Sequence, residues 1–197
     1  MTPDQPLRLP ELWILRHGQT EWNVEDRLQG RLDSPLTAQG MAQARAQGSI
    51  LRSAALPHDL RVISSPSGRA LHTARIAADG LGPLIETDPA LFEIDLGAWQ
   101  GRRVAEIPEA QEARDPHLWK FTGPGCERLE EMAARLTAFL AALDRPAVIV
   151  THGVTSRMLR CLALGRALEA LGSVPGGQGV VHHLRQGTAR VIAPPVA

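Results

Sequence analysis

Two apolar runs in this chain end in the same dipeptide. Ile14-Leu15-Arg16-His17-Gly18 and Ile149-Val150-Thr151-His152-Gly153 each carry a short hydrophobic segment into His-Gly. Such runs read as buried strands, and parallel sheets place ligands at the carboxyl ends of their strands. If both lie in one parallel sheet, both histidines emerge at one edge. Two histidines there suggest either a metal site or a histidine pair acting on an anion. A lone strand-end histidine reads equally well as a hydrogen-bonded structural residue. Zinc would want a third ligand, for which Glu93 and Cys126 are available. Arg16 beside His17 repels a dication and favours phosphate, which a guanidinium grips with two parallel donors. Gly18 suits an anion that approaches side chain and backbone together.

The elements that must position these residues alternate. A strand over about Glu11–Arg16 follows a loose lead-in at residues 1–10, and Thr20 is placed to cap a short helix. Thr37 caps a helix to about Ser53. Leu60–Ser64 reads as a strand, and Ser65-Pro66-Ser67 opens a helix to Gly80, with the proline early, where its missing donor is harmless. Leu84–Thr87 is a third strand. Residues 102–124 hold short helical pieces broken by Pro108, Pro116 and Pro124, and the region of about 95–128 reads as a helical flap over the site. Glu127–Leu143 is amphipathic, with Leu129, Met132, Leu136, Phe139, Leu140 and Leu143 on one face. Ala147–Thr151 is a strand and Val154–Leu164 a helix. Val180–Leu184 and Ala189–Ile192 pair as a hairpin around Gln186-Gly187. The order predicts an α/β fold: a three-layer α/β/α sandwich with a largely parallel central sheet, formed by residues 1–197 as one domain.

Composition narrows the function. The 197 residues suit one sizeable domain. Zero net charge argues against nucleic acid bound through a broad basic field. No apolar run approaches the roughly 20 residues of a membrane span. The polar, proline-containing N-terminus has no basic region followed by an apolar core, so no secretory signal is expected. Cys126 and Cys161 have no metal-like spacing, so a reduced, cytoplasmic protein with free thiols is expected.

The segment Arg16-His-Gly-Gln-Thr-Glu-Trp-Asn23 resembles the signature of the histidine phosphatase superfamily, in its phosphoglycerate-mutase-like branch. Further segments resemble that family in order: Arg27–Gly30 with Asp33–Gly40, Ser64–Ala74, Leu91–Gly101, and Val150–Gly153. The resemblance implies a two-step phosphoryl transfer with His17 as nucleophile, Arg16, Arg69 and His152 holding the phosphoryl oxygens, and Glu93 as general acid and then base. That role asks for a carboxyl kept partly protonated near neutral pH. Asn23, Thr20, Gln29, Gly30 and Gly153 are expected to contact substrate. No metal and no cofactor are implied. The implied partner is a small phosphorylated metabolite, with neither nucleic acid nor membrane; the oligomeric state is not readable. In isolation Arg69 would read as a helix-surface arginine, Glu93 as a surface ion-pair residue, and Asn23 as a turn or cap residue.

Within that resemblance the chain departs from the mutases. Glu93 is followed by Ile94-Asp95 rather than by basic residues, and an acidic neighbour weakens a second phosphate site. Phosphomonoester hydrolysis is therefore expected, with a 2,3-bisphosphoglycerate-dependent phosphoglycerate mutase, an α-ribazole-phosphate phosphatase and a silent phospho-ligand-binding protein as alternatives. Pro124-Gly-Cys-Glu-Arg128 resembles the Gly-Gly-Glu-Ser loop of the phosphatases, with Cys126 and Arg128 as departures. A cysteine-phosphatase loop is excluded because no Cys-x5-Arg pattern follows Cys126. Arg102, Arg103 and Arg128 are candidates for a secondary anion site or for solvated surface charges, and Trp22 and Trp99 are candidates for walls of the phosphate site itself. His58, His72, His117, His182 and His183 read as structural or exposed, the last two pointing to opposite faces of a strand.

Overall fold

A computed structural model describes residues 9–194; most of the lead-in lies outside them. Six strands form one sheet: β1 (Leu12–Arg16), β2 (Arg61–Ser64), β3 (Ile85–Thr87), β4 (Ala147–Thr151), β5 (Val181–Arg185) and β6 (Thr188–Ile192). Their order is β3-β2-β4-β1-β5-β6. β1 to β4 run parallel; β5 and β6 add an antiparallel edge. The β5–β6 turn places Gln186 and Gly187 at φ 50° and 73°, the left-handed pair that a two-residue hairpin turn demands.

Alternate residues of the strands feed two cores. Leu12, Ile14 and Ile149 pack with α5 (Leu129–Ala141) and α6 (Gly153–Ala163). Trp13, Leu15, Val148 and Val150 pack with α2 (Ala38–Ser53) and α3 (Gly68–Ala77). This is the expected three-layer sandwich. Two short helices complete the set: α1 (Glu21–Val24), and α4 (Pro108–Glu112) in the segment that precedes α5. Among the described residues no helix is long and apolar enough to cross a membrane.

The register β1·β4 pairs Arg16 with Thr151, so the two His-Gly dipeptides leave the sheet side by side. The glycines serve different ends. A Cβ on Gly18 would stand 2.2 Å from the carbonyl oxygen of Gly40, and one on Gly40 would stand 2.0 Å from that of Gln19. This pair lets the start of α2 press against the end of β1. Packing therefore requires Gly18, which does not line the cavity described below.

Helix α3 also departs from expectation. It begins at Gly68, with Ser67 in the cap position but making no cap hydrogen bond. The Ser67 hydroxyl instead bonds Nε2 of His152 at 3.1 Å, and that of Ser65 bonds the same nitrogen at 2.8 Å. A tertiary partner has taken the capping group, and Pro66 falls just outside the helix.

Candidate active site

His17 is buried at the end of β1. Its Nδ1 lies 2.8 Å from the carbonyl oxygen of Gly18. A carbonyl only accepts, so Nδ1 carries the proton and Nε2 presents a lone pair. The Nε–H of Arg69 donates to that Nε2 at 3.3 Å. Burial first, then the charges of Arg69, His152 and Arg16, hold the His17 pKa well below the usual 6.5. The imidazole is therefore neutral at physiological pH.

Arg69 is buried and braced on every side. Nη1 donates to the Leu32 carbonyl at 2.6 Å and to Asp33 Oδ1 at 2.9 Å, and Nη2 to the Gly30 carbonyl at 2.8 Å. Gly30 adopts φ 52°, which a residue with a side chain reaches only with strain. Arg69 is thus far from the helix-surface arginine that α3 alone would suggest.

Arg16 is different. Its Nε is buried without a hydrogen-bond partner, and it forms no ion pair among the described residues. Burial lowers its pKa, partly offset by Glu93. His152 sits behind His17, ring centroids 5.2 Å apart; it is fully buried, and its Nδ1 has no partner. Buried polar atoms normally find a partner. Two that do not, Arg16 Nε and His152 Nδ1, lie close to the Nε2 of His17, whose one partner is Arg69, and suit an anion.

Glu93 is clamped at the start of α6. Its carboxylate accepts the N–H of Val154 and of Thr155, each at 3.0 Å, and the Thr155 hydroxyl at 2.9 Å. Burial pushes its pKa up, but these hydrogen bonds prevail and the net shift is downward. A helix N-terminus favours the same charge. The free site therefore holds Glu93 ionised, correcting the expectation of a carboxyl kept partly protonated by its surroundings.

A cavity of about 180 Å³ is lined by Arg16, His17, Asn23, Gln29, Gly30, Arg69 and Glu93, with an apolar wall of Leu28, Ile94, Leu96, Val104 and Val154; His152 stands behind His17 and does not line it. Asn23 Oδ1 accepts from the Thr20 N–H and from Gln178 Nε2, both at 3.2 Å, so its amide NH₂ is left as the free end. Thr20 caps α1 in a capping box with Asn23 and accepts from Gln29 Nε2 at 2.8 Å. It stands behind the lining rather than in it. Gly153 also stands behind, against Arg16.

Several expected residues lie elsewhere. Trp22 lines the cavity, but Trp99 is buried against Trp119, ring centroids 5.6 Å apart. Arg102 and Arg128 are exposed and face Glu106 and Glu130, and Arg103 is exposed; none lines the cavity. Asp95 does not line it either: its carboxylate accepts the Gly97 N–H at 2.9 Å and approaches Arg31 at 3.9 Å. The acidic neighbour that weighed against a second phosphate thus points away, while Asp26 does face the cavity. Cys126 is outside the lining, and burial raises its pKa. His182 and His183 do take opposite faces, the first beside Arg160, the second stacked on Trp13. Sequence reading missed Lys120, Asp26 and Gln178, which sit in loops or short turns with no motif of their own. Among the described residues no group of three or more His, Cys, Asp or Glu is placed to hold a metal ion.

A neutral histidine and unpaired cations at the carboxyl edge of a parallel sheet, under two helical layers, define an α/β protein that handles small anions. The model of the histidine phosphatase superfamily (branch 1) matches residues 12–191, and the chain belongs to that family. It is an enzyme of the phosphatase or mutase kind. A Salmonella choleraesuis protein bearing the name "Probable phosphoglycerate mutase GpmB" is 37% identical over 165 residues, 79% of this chain and 75% of that protein. The α-ribazole phosphatase of Shigella flexneri superposes with a TM-score of 0.77 at 27% identity, over 95% of this chain and 99% of that one. Mycobacterial glucosyl-3-phosphoglycerate phosphatase, solved with VO3, gives 0.75 at 32% identity, over 93% and 98%.

Proposed function

We propose that this chain is a cytoplasmic, metal-independent phosphomonoesterase that hydrolyses small phosphorylated metabolites through a phosphohistidine on His17. The observation that carries this reading is the His17 ring: Nδ1–H is tied to Gly18, and Nε2 is bare except for one arginine N–H. That is the form in which an imidazole attacks phosphorus.

In the first step Nε2 of His17 bonds to phosphorus, the P–O bond to the alcohol breaks, and the departing oxygen takes a proton from Glu93. In the second, water attacks phosphorus, gives its proton to the Glu93 carboxylate, and the P–N bond breaks. Arg16, Arg69, Asn23 and Nδ1 of His152 hold the phosphoryl oxygens, where charge gathers in the transition state. Glu93 starts ionised; a bound phosphate brings negative charge beside it and raises its pKa, so the proton is acquired in the complex. The cations of the cavity supply charge stabilisation and oppose a dication there. The free Cys126 and Cys161 suit a reducing compartment.

Mutase action is the second reading, favoured by the name of the Salmonella relative. The cavity weighs against it. Asp26 and Glu93 both face it and oppose the second phosphate of a bisphosphorylated ligand. The test is phosphate release from a panel of phosphomonoesters, with and without EDTA, with phosphoglycerate interconversion followed in parallel. Release that survives EDTA without interconversion is expected. Interconversion would make the mutase reading correct, and silence in both assays would favour a phospho-ligand-binding protein.

A further inference from the structure

We propose that Lys120 determines substrate choice: its ammonium receives a carboxylate on the alcohol half of the ester, while Arg16 and Arg69 hold the phosphoryl half. The inference rests on the phosphomonoesterase reading and adds a substrate class, phosphorylated hydroxy acids.

Four cations line the cavity: Arg16, Arg27, Arg69 and Lys120. Two of them are already paired. Arg69 bonds Asp33, and Arg27 bonds Glu25 at 3.0 Å and the Gly101 carbonyl. Among the described residues Arg16 and Lys120 have no ion-pair partner. Arg16 adjoins His17 and belongs to the phosphoryl group. Lys120 arrives from a different direction, on the 3-10 turn Leu118–Phe121, in the segment that also contributes Leu96 and Val104 to the apolar wall.

The lysine is not a strut. Its neighbours are Nδ1 of His117 at 3.4 Å and the ring of Trp119 at 5.6 Å. Both belong to its own turn or the residue before it; beyond that turn the opposite charge that most favours its protonation is the Glu93 carboxylate, which lines the same cavity without forming an ion pair with it. His117 supplies no counter-charge: burial and the lysine itself push its pKa down to about 3, so the ring beside the ammonium is neutral. Burial lowers the Lys120 pKa to about 8, so most of the charge persists at neutral pH. A half-buried ammonium that faces a cavity with no ion-pair partner among the described residues gains from a ligand that brings a counter-charge into contact with it.

The same surroundings set the size of that counter-charge. Asp26 and Glu93 face the cavity with Lys120. They oppose a second phosphate, which carries about 1.5 to 2 negative charges, more than a carboxylate, which carries one.

The test is calorimetric binding in the His17→Ala background, where no turnover is needed. Phosphoglycolate is compared with 2-hydroxyethyl phosphate, and 3-phosphoglycerate with glycerol 3-phosphate, each pair differing in a carboxylate. We expect the acid of at least one pair to bind about ten- to a hundredfold more tightly, the range of a charge-assisted hydrogen bond. Lys120→Met should abolish that preference and Lys120→Arg should retain part of it. Equal affinity within both pairs, or no binding of any ester, would overturn the proposal. A preference that survives Lys120→Met would also overturn it, as would an equal loss for all four esters and inorganic phosphate, since the lysine would then serve the phosphoryl group. Hydrolysis of p-nitrophenyl phosphate by the unmodified protein tests the phosphomonoesterase reading separately.

Discussion

The Nε of Arg69 points at Nε2 of His17 from 3.3 Å, with its other arms held by Gly30, Leu32 and Asp33. A fixed cation thus stands at the nucleophilic atom, keeping the ring neutral and marking where phosphoryl oxygens will lie. His17→Ala should abolish turnover. Arg69→Lys should lower kcat/KM about 10²–10³-fold, the typical loss when one preorganised donor is removed. Lysine keeps the charge but cannot fill three braced positions and reach His17 at once. Steady-state kinetics on both variants, with circular dichroism to verify folding, checks this; more than a few per cent residual activity in His17→Ala would show that another residue attacks.

Glu93 is held by three backbone N–H groups, those of Ile94, Val154 and Thr155, and by the Thr155 hydroxyl. Glu93→Gln should slow alkyl phosphates about 10²–10⁴-fold and aryl phosphates at least tenfold less, since a phenolate leaves with little protonation. The amide also turns an NH₂ toward the N–H donors of α6, costing about 1–3 kcal/mol of stability. Equal slowing of both ester classes would remove the proton-transfer role.

The pH dependence follows from histidines held neutral. His17 and His152 both have pKa values pushed well below 6.5 by burial and neighbouring arginines. His17 therefore remains nucleophilic as pH falls through 6.5, and no acid limb from it should appear until well below that value. Stability behaves differently. Below pH 6.5 the unfolded chain takes up protons that the folded chain refuses, so folding weakens as pH drops. Thermal melts from pH 7.5 to 5 should show a falling Tm, with up to one proton taken up on unfolding for each such histidine. A Tm that rises toward pH 5 would contradict the burial of neutral imidazoles.

The two His-Gly dipeptides should respond oppositely to alanine. Gly18→Ala drives a methyl into the Gly40 backbone and should cost about 1–3 kcal/mol or more. Gly153→Ala meets nothing nearer than Arg16 at 3.5 Å and lies in the first turn of α6. It should be neutral or stabilising by up to about 1 kcal/mol. Urea unfolding midpoints of the two variants decide the point.

Much of the architecture was legible because it rests on local physics. Apolar runs of strand length alternating with amphipathic helices specify a parallel sheet covered on both faces, and the His-Gly strand ends place two histidines at one edge. The resemblance of ordered segments then singled out Arg69 and Glu93, which no local pattern would have chosen. What only the tertiary structure decided is which groups are paired and which way they face. Ser67 serves His152 rather than its own helix, Asp95 turns from the cavity, and Glu93 is ionised by the start of α6, 60 residues further along the chain. The arginines that looked available, Arg102, Arg103 and Arg128, stay at the surface, while Lys120 reaches the cavity unpaired. Secondary structure follows from neighbours a few residues apart; pKa values and free donors follow from burial and from partners distant in sequence, and those exist only once the sheet has brought them together.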